Sequence, residues 1–448
     1  MRPLLKSTIF LFLLNTAVLY SQYQGSINSS PDWSYNKTIY EVNTRQFTAE
    51  GTFEAFEKHL PRLKEMGVGI LWLMPIHPIG EKNRKGTLGS YYSVKDYKAV
   101  NPEFGTLKEF KALVDKIHNM GMYVIIDWVA NHTAWDNVWV EEHPDFYTKD
   151  SSGNMIPSVP DWTDVADLNY ENKELWAAMI DALKFWVEEY DIDGYRCDVA
   201  GMMPIEFWIE ARKELDKIKP LFMLAEWDTP EMHLAFDMTY DWDTHKLMNA
   251  IAKGEKTAED MLNNLNDDKN SYPEKAFRMN FTSNHDENTW NGTVSERLGS
   301  AAELFAVFSF LIPDMSLIYT GQEAGLNKRL AFFDKDEVEW KENKFQKLYS
   351  HLIKLKNNND ALQNGERGGK ITWANNTDKK NILAFTRTKN RDKILAIFNF
   401  SDEKIEIELD GEMINETYKN YFTGKEETFS NKEKFNLEPW KFKVFVKK

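Results

Sequence analysis

The stretch DIDGYRCDVAGM, residues 191–202, sets Arg196 and Asp198 two positions apart in a short apolar segment. Side chains alternate along a strand, so both point to the same side and can meet in one place. Three other segments carry groups able to do chemistry: Asp127, Asn131 and His132 in DWVANH, Glu226 in AEW, and His285 with Asp286 in FTSNHD. An arginine satisfying a buried carboxylate is also a common structural salt bridge, and Arg196 with Asp198 alone does not separate the two readings. Asp198, Glu226 and Asp286 on three distant segments do, because burying that many charges without a use is costly. Two chemistries draw on such a set. A metal-dependent hydrolase would bind ions through the histidines and acids, and its first strand commonly supplies a histidine pair, which TIYEVNTRQF lacks. Glycoside cleavage needs two carboxyl groups about a neutral sugar, one ionised to attack the anomeric carbon and one protonated to release the leaving oxygen.

Short apolar runs alternate with amphipathic helices from about residue 38, the pattern of parallel strands joined by crossover helices. TIYEVNTRQF, GILWLMPI, MYVIIDWVANH, DGYRCDVA, LFMLAEW, LAFDMTYDW, FRMNFTSNHD and SLIYTGQE read as strands, and FEAFEKHLPRLKEMG, TLKEFKALVDKIHNMG, LWAAMIDALKFWVEEY and IEFWIEARKELDKI as helices. Eight such strands predict an α/β fold, a (β/α)8 TIM barrel over residues 23–360. The groups above then fall at C-terminal strand ends, where such barrels place their chemistry. One connection is long: residues 133–172, rich in Trp, Asp, Pro and Gly with little regular pattern, form an excursion after the third strand, and so long an excursion is usually functional. From residue 361 to 448 the runs ILAFTRT, KILAIFNFS and KIEIELD predict a C-terminal antiparallel β-sandwich domain.

The formal net charge of −15 opposes nucleic acid, an anionic membrane surface or a polyanionic substrate as partner, and suits a neutral one. Aromatic residues make up 14% of the chain, enough for cores and for faces that stack on sugars. Residues 1–22 carry Arg2 and Lys6 ahead of an apolar run without acidic residues, the pattern of a signal peptide. The expectation is an exported protein, periplasmic or extracellular, with no membrane attachment once the signal is cleaved. Cys197, the single cysteine, has no partner for an intramolecular disulfide and reads as a small buried residue.

In order along the chain, DWVANH, VADLN at residues 165–169, GYRCD, AEW, FTSNHD and MSLIYTGQE resemble the motif regions of the alpha-amylase family of glycoside hydrolases. The resemblance covers about residues 39–325. It implies a retaining hydrolase of alpha-glucosidic bonds acting on an alpha-glucan oligo- or polysaccharide, starch-derived glucans or maltodextrins. Asp198 would be the nucleophile, Glu226 the general acid/base and Asp286 the acid that stabilises the transition state. His132 and His285 would hydrogen-bond the sugar at the cleaved bond, Tyr92 in SYYSVKDY would stack beneath it, and Asp127 would prop the site. A transglycosylase uses the same residues, while a non-catalytic glucan-binding protein would be expected to lack one of the acids. Arg196 beside Asp198 is expected to keep that carboxylate ionised, and the apolar neighbours Ala225 and Trp227 to keep Glu226 protonated. Trp135, Trp139 and Trp162 are candidate sugar platforms. Asn131 and Asp167 resemble positions that bind a structural calcium in many members, and their oxygens suit that ion. Gly201 and Met202 depart from the family, which often has Lys-His or Asn-Glu there; the departure removes a residue often involved in the calcium site and leaves Met202 as an apolar contact for the leaving-group sugar.

Overall fold

A computed structural model describes residues 30–447, so the signal-peptide segment 1–22 lies outside the described residues. Eight parallel strands close into a barrel, β1 (Ile39–Val42), β2 (Ile70–Leu73), β3 (Tyr123–Trp128), β4 (Gly194–Cys197), β5 (Phe222–Ala225), β6 (Met238–Tyr240), β7 (Phe277–Asn280) and β8 (Met315–Tyr319). Each matches a segment that the sequence reads as a strand, with β8 starting one residue earlier, at Met315.

Alternation sorts the apolar residues of the strands between two cores. Ile39, Ile70, Trp72, Ile125, Leu224, Met279 and Leu317 fill the barrel interior. Their neighbours Tyr40, Leu71, Ile126, Tyr195, Met223 and Ile318 pack outward in a core shared with the helices. Cys197 is among these outward, buried residues. The helix Leu107–Asn119 shows why the outer ring forms. Thr106 and Glu109 close a capping box at its start, and Phe110, Leu113, Val114 and Ile117 bury one stripe. Such a cap contributes about 1 kcal/mol, so most of the helix's stability comes from the stripe.

Towards the C-terminal end of the strands the inward positions change character. Glu41 and Asp127 share the inward face of their strands with Ile39 and Ile125, Arg196 follows Gly194 on the same face of β4, and Asp127 pairs with Arg196 across β3 and β4. The barrel's apolar filling is thus topped by a charged layer.

The excursion after β3 is more regular than its composition suggests. His132–Ala134 and Val165–Asp167 form a two-stranded antiparallel pair, with a short helix at Trp139–Glu142 between them. Beyond the helix Lys344–Asn357 the chain makes a six-stranded and a three-stranded sheet with antiparallel pairing, around a core that includes Ile382, Leu395, Ile407 and Phe435. Buried Arg387 fastens this region to the barrel by donating to the carbonyls of Leu311 and Ile312. Among the described residues no helix is long and apolar enough to cross a membrane.

Candidate active site

Arg196 is the hub of the charged layer. Its Nη1 donates to Asp127 Oδ1 at 2.8 Å and to Asp198 Oδ1 at 2.9 Å, while its Nε donates to the Tyr240 hydroxyl at 3.2 Å. Nη2 lies 2.8 Å from Glu226 Oε1, an ion-pair distance, but without the direction of a hydrogen bond. Arg196 therefore holds Glu226 by charge attraction alone, whereas Asp198 also accepts a directed hydrogen bond from it. The other Glu226 oxygen accepts the Val199 backbone N–H at 2.8 Å. Val199 adopts φ 38° and ψ 44°, a left-handed conformation that costs a β-branched residue about 1–3 kcal/mol. The strain at Val199, directly after Asp198, aims a donor at Glu226.

One guanidinium cannot neutralise three buried carboxylates, and the groups divide accordingly. Burial pushes Asp198 up to about 6, against the opposing pull of Arg196. The sequence reading expects Arg196 to hold Asp198 firmly ionised; Arg196 does favour the carboxylate, but it is shared with Asp127 and Glu226, and burial outweighs it. Burial pushes Glu226 higher, to about 8, with Asp198 and Asp286 adding to the rise against Arg196. Near neutrality the site thus holds an ionised Asp198 beside a protonated Glu226, environments set apart as acid/base work requires.

A second chain of contacts supports Asp286. Glu41 Oε1 lies 2.6 Å from His285 Nδ1, and His285 Nε2 faces the Tyr92 hydroxyl at 2.7 Å and Asp286 Oδ2 at 3.3 Å. The Tyr92 hydroxyl donates to Asp127 Oδ2 at 3.0 Å, as does Trp72 Nε1 at 3.2 Å. Burial lowers the His285 pKa, but Asp286 and Glu41 overcome it and hold the ring well above the usual histidine range. Burial raises Asp286, and His285 with Arg196 more than reverses this, leaving it below the ordinary range. His132 is pushed down to about 4 by burial and is neutral.

Asp198, Glu226, Asp286, Tyr92, His132 and His285 all line one cleft of 380 Å³. Arg196 and Asp127 lie beneath it, fully buried. Trp162 joins the lining, edge-on to His132 with ring centroids 5.4 Å apart. Trp135 and Trp139 do not: Trp135 donates to the Thr163 carbonyl, and Trp139 packs on Tyr97 and Phe146. Met202 also stands outside the lining, 42% exposed at the end of the turn Ala200–Met202. Gly201 before it has a steric reason. A Cβ there would lie 2.1 Å from the Trp227 ring, so the indole after Glu226 occupies the space a side chain would need.

Several contributors escape the sequence reading. Glu41 carries the same signal as Arg196, a charge at an inward strand position, and was legible in TIYEV. Trp290 follows Asp286 by four residues and lines the cleft beside it. Lys85, Phe332 and Phe333 line the cleft from loops, where no periodicity marks them.

The calcium pair supplies few oxygens as placed. Asn131 Nδ2 donates to Ser158 Oγ at 2.9 Å and faces His132 Nδ1 at 3.2 Å, while Asp167 pairs with His132 across the hairpin. Among the described residues no group of three or more His, Cys, Asp or Glu is set to hold an ion, and calcium takes about six to eight oxygens. Two side-chain donors fall short of that number, so backbone carbonyls and water would have to complete a calcium site here.

A larger cavity of 450 Å³ lies on the outer wall of β7, against the C-terminal sheets. Of the acids that line it, Asp241 and Asp268, with Asp228 close by, surround Arg278 and pair with it. In the strand-end cleft Asp198 and Glu226 both face open space.

A closed parallel barrel with paired, unequal carboxyl groups at its C-terminal mouth is the architecture of a glycosidase. The chain belongs to the alpha-amylase family: the model for the alpha amylase catalytic domain matches residues 26–156 and 159–437. A maltogenic alpha-amylase from Thermotoga neapolitana, described as noncanonic, is 32% identical with a TM-score of 0.85, over 92% of this chain and 98% of that one. An alpha-amylase from Lactobacillus plantarum is likewise 32% identical with a TM-score of 0.83, over the same shares of the two chains, 92% and 98%. An alpha-amylase from Haloarcula japonica is 26% identical over 84% of this chain, which spans 57% of that longer relative.

Proposed function

We propose that the protein is a retaining hydrolase of alpha-glucosidic bonds in maltodextrins or other starch-derived glucans. The observation that carries this reading is the placement of Asp198 and Glu226 on the two arms of the Arg196 guanidinium, at 2.9 and 2.8 Å. Two carboxyl groups held by one guanidinium are kept close, as double displacement requires at about 5–5.5 Å, rather than spread to the about 6.5–9.5 Å that leaves room for a directly attacking water. The excess of acid over base in the chain suits a neutral sugar, and the maltogenic relative from Thermotoga supports the alpha-linked class.

In the first step Asp198 Oδ attacks the anomeric carbon as the glycosidic C–O bond breaks, and Glu226 gives its proton to the departing oxygen. Asp286, paired with His285, stands with its charge near the positive character that develops on the sugar ring. In the second step the Glu226 carboxylate takes a proton from water, the water oxygen bonds to the anomeric carbon, and Asp198 leaves with its electron pair. Glu226 ends protonated, ready for another cycle.

Reducing-end release from maltodextrins set against cellodextrins of equal length tests the substrate class. The alpha-linked series is expected to be cleaved and the beta-linked series to be inert, since inverting the anomeric bond takes the leaving oxygen away from Glu226. Equal cleavage of both would overturn the assignment.

A further inference from the structure

We infer that the cleft is closed on the side away from Glu226, so that the enzyme takes glucans by their non-reducing ends and releases glucose or maltose instead of cutting within the chain. The inference rests on the proposed roles of Asp198 and Glu226. Glu226 protonates the leaving oxygen, so the leaving sugar lies beyond it, over the turn Val199–Met202 and Trp227. There the molecule is open, with Met202 exposed to solvent. The sugar that is attacked lies on the other side, among Tyr92, His285 and Asp286.

Three loops meet on that side and are tied together. The loop after β2 bonds to the loop after β8: Leu88 N–H donates to the Phe333 carbonyl at 2.9 Å, and the Thr87 amide and hydroxyl donate to Asp334 Oδ1 at 2.8 and 2.6 Å. Buried Arg45 seals the joint from below, donating to the carbonyls of Gly89 at 3.0 Å and Phe332 at 3.3 Å. The loops approach so closely at Gly86, φ 63°, that a Cβ there would lie 2.5 Å from that of Phe333. On its other flank the loop after β2 is fastened to the excursion, where Lys85 Nζ pairs with Asp164 at 2.8 Å and donates to the Asp161 carbonyl at 2.9 Å. Behind Tyr92, the Phe332 ring lies parallel to it with centroids 6.1 Å apart, and Trp290 leans on Phe332 at 5.3 Å. A glucan extending past the attacked sugar meets this rim, whereas an endo-acting site needs a groove open at both ends.

The test compares an aryl maltoheptaoside with the same compound whose non-reducing 4- and 6-hydroxyls carry a ketal block, using the full-length enzyme. The blocked substrate is expected to be cleaved slower by on the order of a hundredfold, because the block clashes with the rim. From reducing-end-labelled maltoheptaose the first labelled products should be the chains shortened by one or two sugars. Equal rates on blocked and unblocked substrates, or labelled products of all lengths from the start, would overturn the closure while leaving the glycosidase reading intact. Failure to cleave the unblocked substrate would overturn both. Untying the rim in Lys85→Ala/Thr87→Ala is expected to raise the blocked-to-unblocked rate ratio about tenfold. An unchanged ratio would show that these ties do not close the cleft.

Discussion

Asp198→Asn is expected to lower kcat/KM on a maltodextrin by a factor on the order of 10⁵, the scale seen when a covalent nucleophile is removed and the rest of the site is kept. The substitution is well suited to the question because the asparagine oxygen can still accept from Arg196 Nη1, as Asp198 does at 2.9 Å. Geometry is retained and nucleophilicity lost. It also removes one of three buried carboxylates competing for one guanidinium, so thermal stability should be unchanged or slightly higher. Steady-state rates together with a thermal melt separate the two effects. An Asp198→Asn enzyme that keeps activity within tenfold of the parent would assign the attack to another group.

Glu226→Gln is the second large effect, expected at about 10²- to 10⁴-fold on natural oligosaccharides, the contribution of a placed general acid. An activated aryl glycoside, whose leaving group needs no proton, should lose far less in the glycosylation step. The pH profile adds a readout that a structural role would not give. In the parent enzyme the rate is expected to fall as pH drops through about 6, when Asp198 gains a proton, and to fall as pH rises through about 8, when Glu226 loses its own. Since the two titrate as a pair, these limbs belong to the pair's two steps. Glutamine has no proton to lose, so the alkaline limb should vanish while the acid limb stays. Persistence of the alkaline limb in Glu226→Gln would place the acid elsewhere.

The part of the site that was legible from sequence is the part built on strands. Period two put Arg196 and Asp198 on one face, and the same rule carries Asp127, because side-chain direction within a strand is a local property. Glu41 obeys that rule too, but a single charge in an apolar strand has a bland reading until its partner His285, 244 positions away, is known. The sharing of Arg196 among three carboxylates was not legible: it depends on barrel closure bringing β3, β4 and β5 side by side. Nor could the departure at Gly201 be explained without seeing the Trp227 ring lying against it. The rim is the extreme case. Its ties join Thr87 to Asp334 and Lys85 to Asp164 between irregular loops, where spacing carries no information about partners.

The configuration of the first product tests the two-step use of Asp198 and Glu226 most directly. Proton magnetic resonance of a maltodextrin digest, read within the first turnovers and before mutarotation, is expected to show the alpha anomer appearing first and the beta anomer growing in later. Two displacements at one carbon restore the configuration of the substrate. Initial appearance of the beta anomer would mean a single displacement by water, and would contradict the assignment of Asp198 as nucleophile.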